Sequence, residues 1–403
     1  MRTHWKPVVS LLVALCLLAG AMTGALAMDR ERVADGAAEW LLEKVPVDPQ
    51  DTELDNAADW TAIVLSRGGY EGYADYPAYL DGAVKANFAQ MYLSDYARAA
   101  LAAGASGGDA RNVGGHDLIE AIAKTDFTQE LYTDGVSYAL LAADSMDYDF
   151  PADSRQAMID ALCKAQRADG GFNYLLSVNP DDVYSVDGSV DTTGPVLAAL
   201  APYQADKEVA AVIEKALSFL KASQNPETAG FGFMGSDSAE TISMAVIGLT
   251  ALKIDPCGPD FVKNGKTMID ALLTFVNPDG GMKAWDGNSN IMTTYQALSA
   301  LEAYARFARG EAAFYDFSDL VSAPDTTAPA TDTPASDPAV PQTSQSTDMP
   351  DTAASSVQTQ RTTAPDAENP ATGSSMAAAG AAVLALLSSC ALVVSKKRAD
   401  DHA

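Results

Sequence analysis

The chain has 403 residues, 48% of them hydrophobic, so it is long enough to form a large buried core. It carries 54 acidic against 26 basic residues, a formal net charge of −28. This balance argues against nucleic acid and anionic membrane surfaces as general electrostatic partners. It suits an exported protein and leaves neutral and cationic ligands open.

The first 27 residues are typical of a signal peptide. Arg2 and Lys6 give a positive start, and residues 8–18 form an apolar run that is too short to span a bilayer comfortably. The sequence Ala-Leu-Ala at 25–27 fits a small-residue cleavage site. Cys16 raises the alternative of a lipoprotein signal, but Leu15 before it is too bulky for that pattern. We therefore predict residues 1–27 to be a signal peptide.

Helical periodicity dominates residues 28–321, and runs with the period of a strand are missing. Two kinds of helix alternate. The segment 206–223 is amphipathic, with an apolar face around Val209, Ile213 and Leu217. The segment 240–253 has no charge from Thr241 to Leu252, so it must be covered on more than one side.

The same alternation continues in both directions and predicts about twelve helices, half amphipathic and half largely buried. The economical arrangement is all-α: an α6/α6 toroid in which charged helices surround an inner ring of uncharged ones. An α-solenoid is the alternative, although its inner helices would usually expose a charged concave face. The clearest uncharged segments are 59–66, 134–144, 191–203, 240–253 and 291–301, the clearest amphipathic ones are 152–166, 206–223 and 261–276, and less distinct helices lie near Ala78, Ser94 and Asp117.

A repeated Gly-containing turn motif follows three of the amphipathic segments. The first copy reads QRADGGFNY, in which Gln166, Gly170 and Phe172 form a Q-x3-G-x-F pattern. We expect the glycines at 170 and 171 to adopt positive φ and end the helix, and the glutamine to bond open backbone groups at the helix ends. Degraded copies follow Gln224 and Val276.

This pattern resembles the Q-x3-G-x-W repeat of triterpene cyclases and the related protein prenyltransferases. The resemblance covers residues 152–307 well and the N-terminal half only through the alternation of helices. It implies the α/α toroid of that superfamily and by itself implies no activity.

The cyclase branch protonates an alkene with the central acid of a D-x-D-D motif. The nearest counterpart here contains Asp187 and Asp191, and the flanking acids are missing. An Asp that opens an apolar helix is typical of an N-cap, which is our main interpretation of Asp191, Asp134 and Asp59. A catalytic acid is the alternative for Asp191. Likewise, the acids at 237 and 240 resemble a capping box.

The prenyltransferase branch needs a zinc ion held by Asp, Cys and His. Between residues 28 and 321 the only histidine is His116, far upstream of Cys163 and Cys257, and no cluster has zinc-ligand spacing. We therefore predict no metal site and no cofactor, and a Ser-His-Asp triad is improbable. We expect the two cysteines to be buried thiols rather than a disulfide.

Loops before the uncharged helices are expected to open at one end of the toroid, where aromatic residues stand beside acids. We predict a non-catalytic module that binds a sugar, a corrinoid, a terpenoid or a protein. The alternatives are a degenerate terpene-cyclase-like or polysaccharide-acting enzyme with paired carboxylates, and a structural spacer or adhesin with a filled centre. The candidate ligand-binding residues are Tyr174, Tyr184, Asp187, Asp191, Phe233, Asp237, Glu240, Trp285 and Asp286, with Asp191 and Asp187 as weak catalytic candidates.

The C-terminal part contains a predicted disordered stalk rich in Pro, Thr and Ser at 322–368, an uncharged span at 376–394 and a basic tail at 395–403. The order resembles the cell-wall sorting signal of Gram-positive surface proteins. It implies that a sortase cleaves after Thr372 and joins the protein to peptidoglycan, so that the membrane is met only by the C-terminal helix before sorting. An ordinary C-terminal membrane anchor is the alternative. The motif itself is Asn369, Pro370, Ala371, Thr372 and Gly373, with Asn where the family has Leu.

Overall fold

The computed structural model describes residues 30–127, 130–179, 181–233 and 236–320, except for the side chain of Phe233. The predicted signal peptide, stalk, sortase motif and C-terminal transmembrane helix lie outside these ranges. Within them, none of the helices combines the length and the apolar composition that crossing a bilayer requires.

Twelve α-helices form most of the described chain. Two antiparallel strands of two residues each, β1 (Gly232–Phe233) and β2 (Ser236–Asp237), precede the tenth helix. In chain order the helices are α1 (residues 30–44), α2 (Asn56–Gly68), α3 (Tyr76–Asn87), α4 (Leu93–Ala105), α5 (Leu118–Ala123), α6 (Thr133–Asp144), α7 (Ala152–Ala165), α8 (Val190–Leu200), α9 (Lys207–Ser223), α10 (Ala239–Ala251), α11 (Met268–Leu273) and α12 (Ile291–Arg309).

The even-numbered helices form a closed inner ring. Each contacts the next one, and α12 contacts α2. Helices α3, α5, α7, α9 and α11 pack against the outside of this ring. Burial follows the same division, because α10 buries every residue except Glu240 and Ala251, whereas α9 buries one narrow stripe. The α/α toroid is therefore confirmed, and the solenoid alternative is wrong because its two terminal repeats would not meet.

The predicted helix over 261–276 is shorter in the structure. Asn264 and Gly265 adopt left-handed backbone conformations, with φ of 51° and 75°, inside a tight reverse turn. Only after this turn does α11 begin, capped by Thr267, whose hydroxyl accepts from the Asp270 amide at 3.0 Å. The two turn-forming residues thus override the helical pattern on either side of them.

The first repeat turn shows what its glutamine does. The Gln166 side-chain amide donates to the carbonyl of Gly170 at 2.9 Å and to that of Val212, in α9, at 2.8 Å. Gly170 has a φ of 94°, and Phe172 is fully buried. The expected roles of these residues are confirmed. Gly171 lacks the expected positive φ; it is needed because a Cβ there would lie 2.9 Å from the Cα of Gly188.

The two degraded copies make equivalent links between outer helices. Gln224 donates to the carbonyls of Ala229 and Phe261, at 2.9 and 2.7 Å. In the third copy, Asp279 accepts a hydrogen bond from the indole of Trp40, in α1, at 3.1 Å. The third turn therefore joins the last outer helix to the first and closes the outer ring.

Replacing Gln166 with Ala is expected to lower the free energy of unfolding by about 1–3 kcal/mol, because two carbonyls lose their donor. Urea unfolding of the variant and the parent measures this. The matched control is Gln156→Ala on the exposed face of α7, where Gln156 bonds only Asp160 and where we expect a change within about 0.5 kcal/mol. Equal effects at the two positions would contradict the bridging role.

The chain after α12 closes one end of the ring. We call residues 311–320 the C-terminal plug. Its Phe317 amide donates to the carbonyl of Ser145, at the end of α6, at 2.7 Å, and the Phe317 ring lies against Gly104 of α4. Arg67, at the end of α2, bonds three plug carbonyls. The plug therefore spans the C-terminal ends of several inner helices, and access to the ring is left at their N-terminal ends.

Candidate functional site

The N-terminal ends of the inner helices and the loops before them form what we call the mouth. Nearly all the large apolar side chains that are exposed in the described chain lie here, the exception being Leu320. Such a concentration on one face marks a binding surface rather than scattered surface residues. These residues are Tyr92, Leu131, Tyr132, Tyr174, Val178, Val183, Tyr184, Val186 and Trp285.

Two mouth loops are joined by backbone hydrogen bonds. The Thr133 amide donates to the carbonyl of Tyr174, and the Leu176 amide donates to that of Leu131, both at 2.9 Å. The Tyr174 hydroxyl donates to the carboxylate of Asp182. This hydrogen bond is the main cause that raises the pKa of Tyr174 to about 12. These two backbone hydrogen bonds join the loop before α6 to the loop before α8 in one surface, which we call the rim.

A buried arginine holds this rim from below. The Arg167 guanidinium donates to the carbonyls of Ser185, Leu176 and Leu175 in the loop and to that of Ala165 in α7. The loop is further closed by Asn173, whose side chain donates to the carbonyls of two of its residues. Our reading of the sequence missed Arg167, and its only signal was a cation placed directly after the repeat glutamine.

Three consecutive inner helices carry a carboxylate at their second residue: Asp134 in α6, Asp191 in α8 and Glu240 in α10. The N-cap prediction for Asp191 is wrong, because Ser189 is the cap and accepts from the Asp191 amide at 3.2 Å. The cap position before Asp134 is likewise taken by Tyr132. Neither Asp134 nor Asp191 therefore occupies the N-cap position of its helix.

The remaining acids that we interpreted as caps have other partners. Asp59 lies at the end of the first turn of α2, whose cap is Asp55. It is fully buried, pairs with Arg98 at 2.8 Å and accepts from Tyr76 at 2.7 Å. Asp237 lies in β2 and accepts from Asn225 at 3.0 Å. The capping box of Asp237 with Glu240 is wrong, because the cap of α10 is the residue between β2 and the helix.

Hydroxyl groups connect two of the mouth carboxylates from one helix to the next. Asp191 accepts a hydrogen bond from Thr241 of α10, next in sequence to Glu240. Glu240 in turn accepts from Thr293 of α12, and from Ser238 at 2.7 Å. Asp191 and Glu240 therefore form a pair on neighbouring helices.

Desolvation raises the pKa of two of these acids. It is the main cause of the raised pKa of Asp191, and the negative charge of Glu240 adds to it. It also raises the pKa of the half-buried Asp134. The Asp191 side chain is nevertheless reached by solvent. The Asp191 carboxyl therefore lies at the solvent-exposed mouth, with Glu240 and Thr241 of α10 beside it.

Aromatic residues form a floor beneath the carboxylates. The Trp60 ring of α2 lies 4.9 Å from that of Tyr138 in α6 and 6.3 Å from that of Tyr295 in α12, between ring centroids. Because α4 lies between α2 and α6 in the ring, the first contact passes through the inside of the ring. Burial is the main cause that raises the pKa of both tyrosines, and the charges of Asp134 and Glu240 add to it. These acids therefore lie within electrostatic reach of the floor.

The floor is continued by the C-terminal plug. Tyr315 meets Tyr138 edge to face at 6.0 Å, and their hydroxyls share a hydrogen bond. The plug and these aromatic residues therefore close the ring below the mouth. None of these floor aromatics was predicted from the sequence. The only signal was that three of the apolar inner helices, α2, α6 and α12, each carry one aromatic residue within their first two turns.

The structure places the predicted ligand-binding residues in three separate groups. Tyr174, Tyr184 and Asp187 are exposed on the rim before α8. Asp191 and Glu240 form the pair below it. Trp285 is 86% exposed beside Asp286, in the turn before α12, and hydrogen bonds from Asn288 lower the pKa of Asp286. Phe233 lies in β1, with its side chain outside the description.

Within the described ranges, no group of three or more His, Cys, Asp or Glu residues is arranged to hold a metal ion. Cys163 and Cys257 are free, half-buried thiols, so the expectation of unbridged cysteines is confirmed. A separate hollow of about 560 Å³ lies beside the C-terminal end of α2, between Tyr70, Tyr73 and Pro77. It contains none of the mouth carboxylates.

No protein-family profile and no curated protein sequence matches the chain. Solved structures do match it. A polysaccharide lyase is 14% identical over 70% of this chain and 98% of its own, with a TM-score of 0.51. An inactive α-1,6-mannanase variant from Salegentibacter sp. HEL1_6, in complex with α-1,6-mannotriose, is 13% identical over 69% and 99%, also with a TM-score of 0.51.

A type II terpene cyclase from Scytonema is 12% identical over 70% of this chain and 99% of its own; its TM-score is 0.49, and no conclusion rests on it. At such identities the likeness shows the fold alone. The chain has the α/α toroid of these enzymes, and its chemistry has to be argued from its own residues.

Proposed function

We propose that the protein is an exported polysaccharide-acting enzyme of the glycoside hydrolase type, with its active site in the mouth. The observation that carries this proposal is the pair of carboxylates on α8 and α10, at the solvent-exposed mouth above an aromatic floor. Glycosidases use two carboxyl groups, one protonated and one ionised, on either side of the bond they cleave.

The two environments suit these two roles. The raised pKa of Asp191 keeps a larger fraction of this carboxyl protonated near neutral pH, as a general acid requires. Glu240 accepts hydrogen bonds from two hydroxyls, which fix the position of its carboxyl group. In the proposed reaction Asp191 protonates the leaving glycosidic oxygen, and Glu240 activates water or attacks the anomeric carbon.

The aromatic residues would bind the sugar chain. Tyrosine and tryptophan present flat apolar faces that suit the C–H face of a sugar ring, and their polar edges remain hydrated. Tyr132, Tyr174 and Tyr184 supply such faces on the rim, and Trp60 supplies one at the floor. The bound chain would thus run from the rim towards the acid pair.

This proposal replaces the non-catalytic binding module as our main interpretation. Paired carboxylates were the feature that we expected of an enzyme and not of a binder. Two neighbours with TM-scores of 0.51 are a polysaccharide lyase and a mannanase, which agrees with the same choice. A terpene cyclase is disfavoured because the acids that flank the D-x-D-D centre are missing. The filled centre that we expected of a spacer is present at the level of the floor, and only the paired carboxylates at the mouth favour an enzyme over a spacer.

Export and wall attachment belong to the same proposal. The predicted signal peptide would take the toroid out of the cell, and the motif at 369–373 would let a sortase join it to peptidoglycan. A wall-attached hydrolase would meet polysaccharides at the cell surface.

Replacing Asp191 with Asn is expected to lower kcat at least ~100-fold on whichever polysaccharide the parent degrades, because the proton donor is lost. Release of reducing ends from mannan, β-glucan, chitosan and polygalacturonate measures this. The parent kcat should also fall as the pH rises through the raised pKa of Asp191, because the acid form is consumed.

The stability of the same variant separates catalysis from folding. Because the folded state raises the pKa of Asp191, the ionised form is disfavoured there, and folding stability is lost as the pH rises through that pKa. Asn carries no charge, so the variant should be as stable as the parent or more stable at neutral pH. Asp153→Asn, on the exposed face of α7, is the control and should keep full activity. An inactive parent on every polysaccharide, or a fully active Asp191 variant, would rule out the proposal.

A further inference from the structure

The six loops that lead into the inner helices are strongly acidic. They contain fourteen acidic residues and three basic ones. The carboxylates at the second positions of α6, α8 and α10 add to this charge. Charge concentrated in a concave site acts over a longer range than charge on an open surface, because the surrounding protein screens it poorly.

The three cations of these loops already have partners. Lys124 pairs with Glu120 at 2.7 Å. The Arg167 guanidinium donates its hydrogen bonds to backbone carbonyls beneath the rim. The Lys283 ammonium lies 5.7 Å from the centroid of the Phe275 ring. An acidic sugar that enters the mouth would therefore meet carboxylates without finding an unengaged cation among the described loop residues.

The nearest cation on an inner helix is engaged as well. Arg98 of α4 is 6% exposed and pairs with Asp59 at 2.8 Å and with Asp95 at 2.9 Å. Two carboxylates surround one guanidinium, so the group leaves no positive charge for a ligand. A buried ion pair of this kind is structural, because breaking it would leave a charge without compensation.

Two further observations favour a positively charged sugar. The exposed aromatic faces of the rim attract an ammonium group through the cation–π interaction. The hydroxyl of Thr133, next in sequence to Asp134, is fully buried and has no hydrogen-bond partner among the described residues. Buried polar atoms are seldom left unpaired, so this hydroxyl marks an unfilled polar position beside Asp134, open to a donor or an acceptor.

We infer that the mouth selects glycans without acidic groups and binds an amino sugar polymer, with free ammonium groups, more tightly than its uncharged counterpart. This inference rests on the proposed function and adds the charge class of the substrate. A carboxylated or sulfated chain is excluded by repulsion from the desolvated carboxylates, and an ammonium group is attracted by both the carboxylates and the aromatic faces.

The test compares three charge states of one polymer. α-1,6-Mannan, β-1,3-glucan and β-1,4-glucan are each prepared neutral, partly aminated and partly carboxymethylated, at matched length and degree of substitution. Binding to the whole protein is measured by calorimetry at low ionic strength. On at least one backbone, we expect the aminated form to bind about 10-fold more tightly than the neutral form, and the carboxymethylated form at least about 10-fold more weakly. Both differences should shrink in about 0.5 M NaCl.

A variant locates the selectivity in the mouth. Asp134→Asn should reduce the preference for the aminated form several-fold, whereas Asp153→Asn on α7 should leave it unchanged. An undiminished preference in Asp134→Asn would assign it to the general negative charge of the protein and overturn the inference. Tighter binding of a carboxymethylated form would overturn it and leave the proposed function standing. If no form is bound or degraded, the proposed function fails together with it.

Discussion

Replacing Arg67 with Ala is expected to lower the free energy of unfolding by about 3–5 kcal/mol, because three plug carbonyls lose a charged hydrogen-bond donor. Asp319 keeps its second partner, Arg306 of α12. The Arg67 side chain is completely buried. Its guanidinium pairs with Asp319 at 2.9 Å and donates to the carbonyls of Phe314, Ala313 and Asp316, at 2.9, 3.2 and 3.0 Å. Arg306 of α12 also pairs with Asp319 and donates to the carbonyl of Ala312 at 3.0 Å, so two arginines hold the plug.

Urea unfolding measures this effect, and Arg111→Ala is the matched control. Arg111 pairs with Asp109 at 3.1 Å, but both side chains are about half exposed. Exposed pairs contribute about 0–1 kcal/mol, so the control should change little. Arg67→Lys should recover only part of the loss, because an ammonium cannot reproduce the planar fork of donors. A loss below about 1 kcal/mol in Arg67→Ala would show that Arg306 and the apolar contacts are sufficient to hold the plug.

The second large effect is expected from Gly194→Ala in α8. Ala is the better helix former by about 1 kcal/mol, so helix propensity alone predicts stabilisation. The ring predicts the opposite, because a Cβ at this position would lie 2.0 Å from the carbonyl oxygen of Met244 and 2.4 Å from its carbon. These are backbone atoms of α10 that move only with the whole helix. We therefore expect a loss of about 3 kcal/mol or more from overpacking.

The same substitution on an outer helix provides the control. A Cβ at Gly82, inside α3, would meet its nearest neighbour, the carbonyl oxygen of Asp51, at 3.4 Å, an ordinary contact. Gly82→Ala should therefore raise the free energy of unfolding by about 0.5–1 kcal/mol. Thermal unfolding of both variants gives the comparison. Stabilisation in both would mean that α8 and α10 are free to separate, and that the inner ring is not set by this contact.

The fold could be predicted from the sequence because its main cause is a property of whole segments. A helix without charge, such as 241–252, has to be covered on all sides, and only a sheath of amphipathic helices provides that cover. The motif at Gln166 and Gly170 also predicted a local feature, a helix end closed by a glycine and bridged by a glutamine, and the structure confirms it. The reverse turn at Asn264 was missed because helical periodicity on both sides of it outweighed two turn residues.

The site was predicted less completely because its parts are far apart in the chain. Asp191 and Glu240 are brought together by ring closure, and neither residue carries a mark of its partner. The floor contact of Trp60 with Tyr138 joins helices that are not neighbours even in the ring. The N-cap of α8 lies two residues earlier than we predicted. A serine at that position caps the helix and leaves Asp191 open to water.

The plug and the aromatic floor together set how a polymer would be handled. A ring sealed at its base has one opening, so a sugar chain cannot thread through it and slide along. Substrate would enter and fragments would depart by the same route, which favours attack on chain termini or short branches over cleavage in the middle of a long strand. The length of the fragments released would then report directly on the depth of the cup.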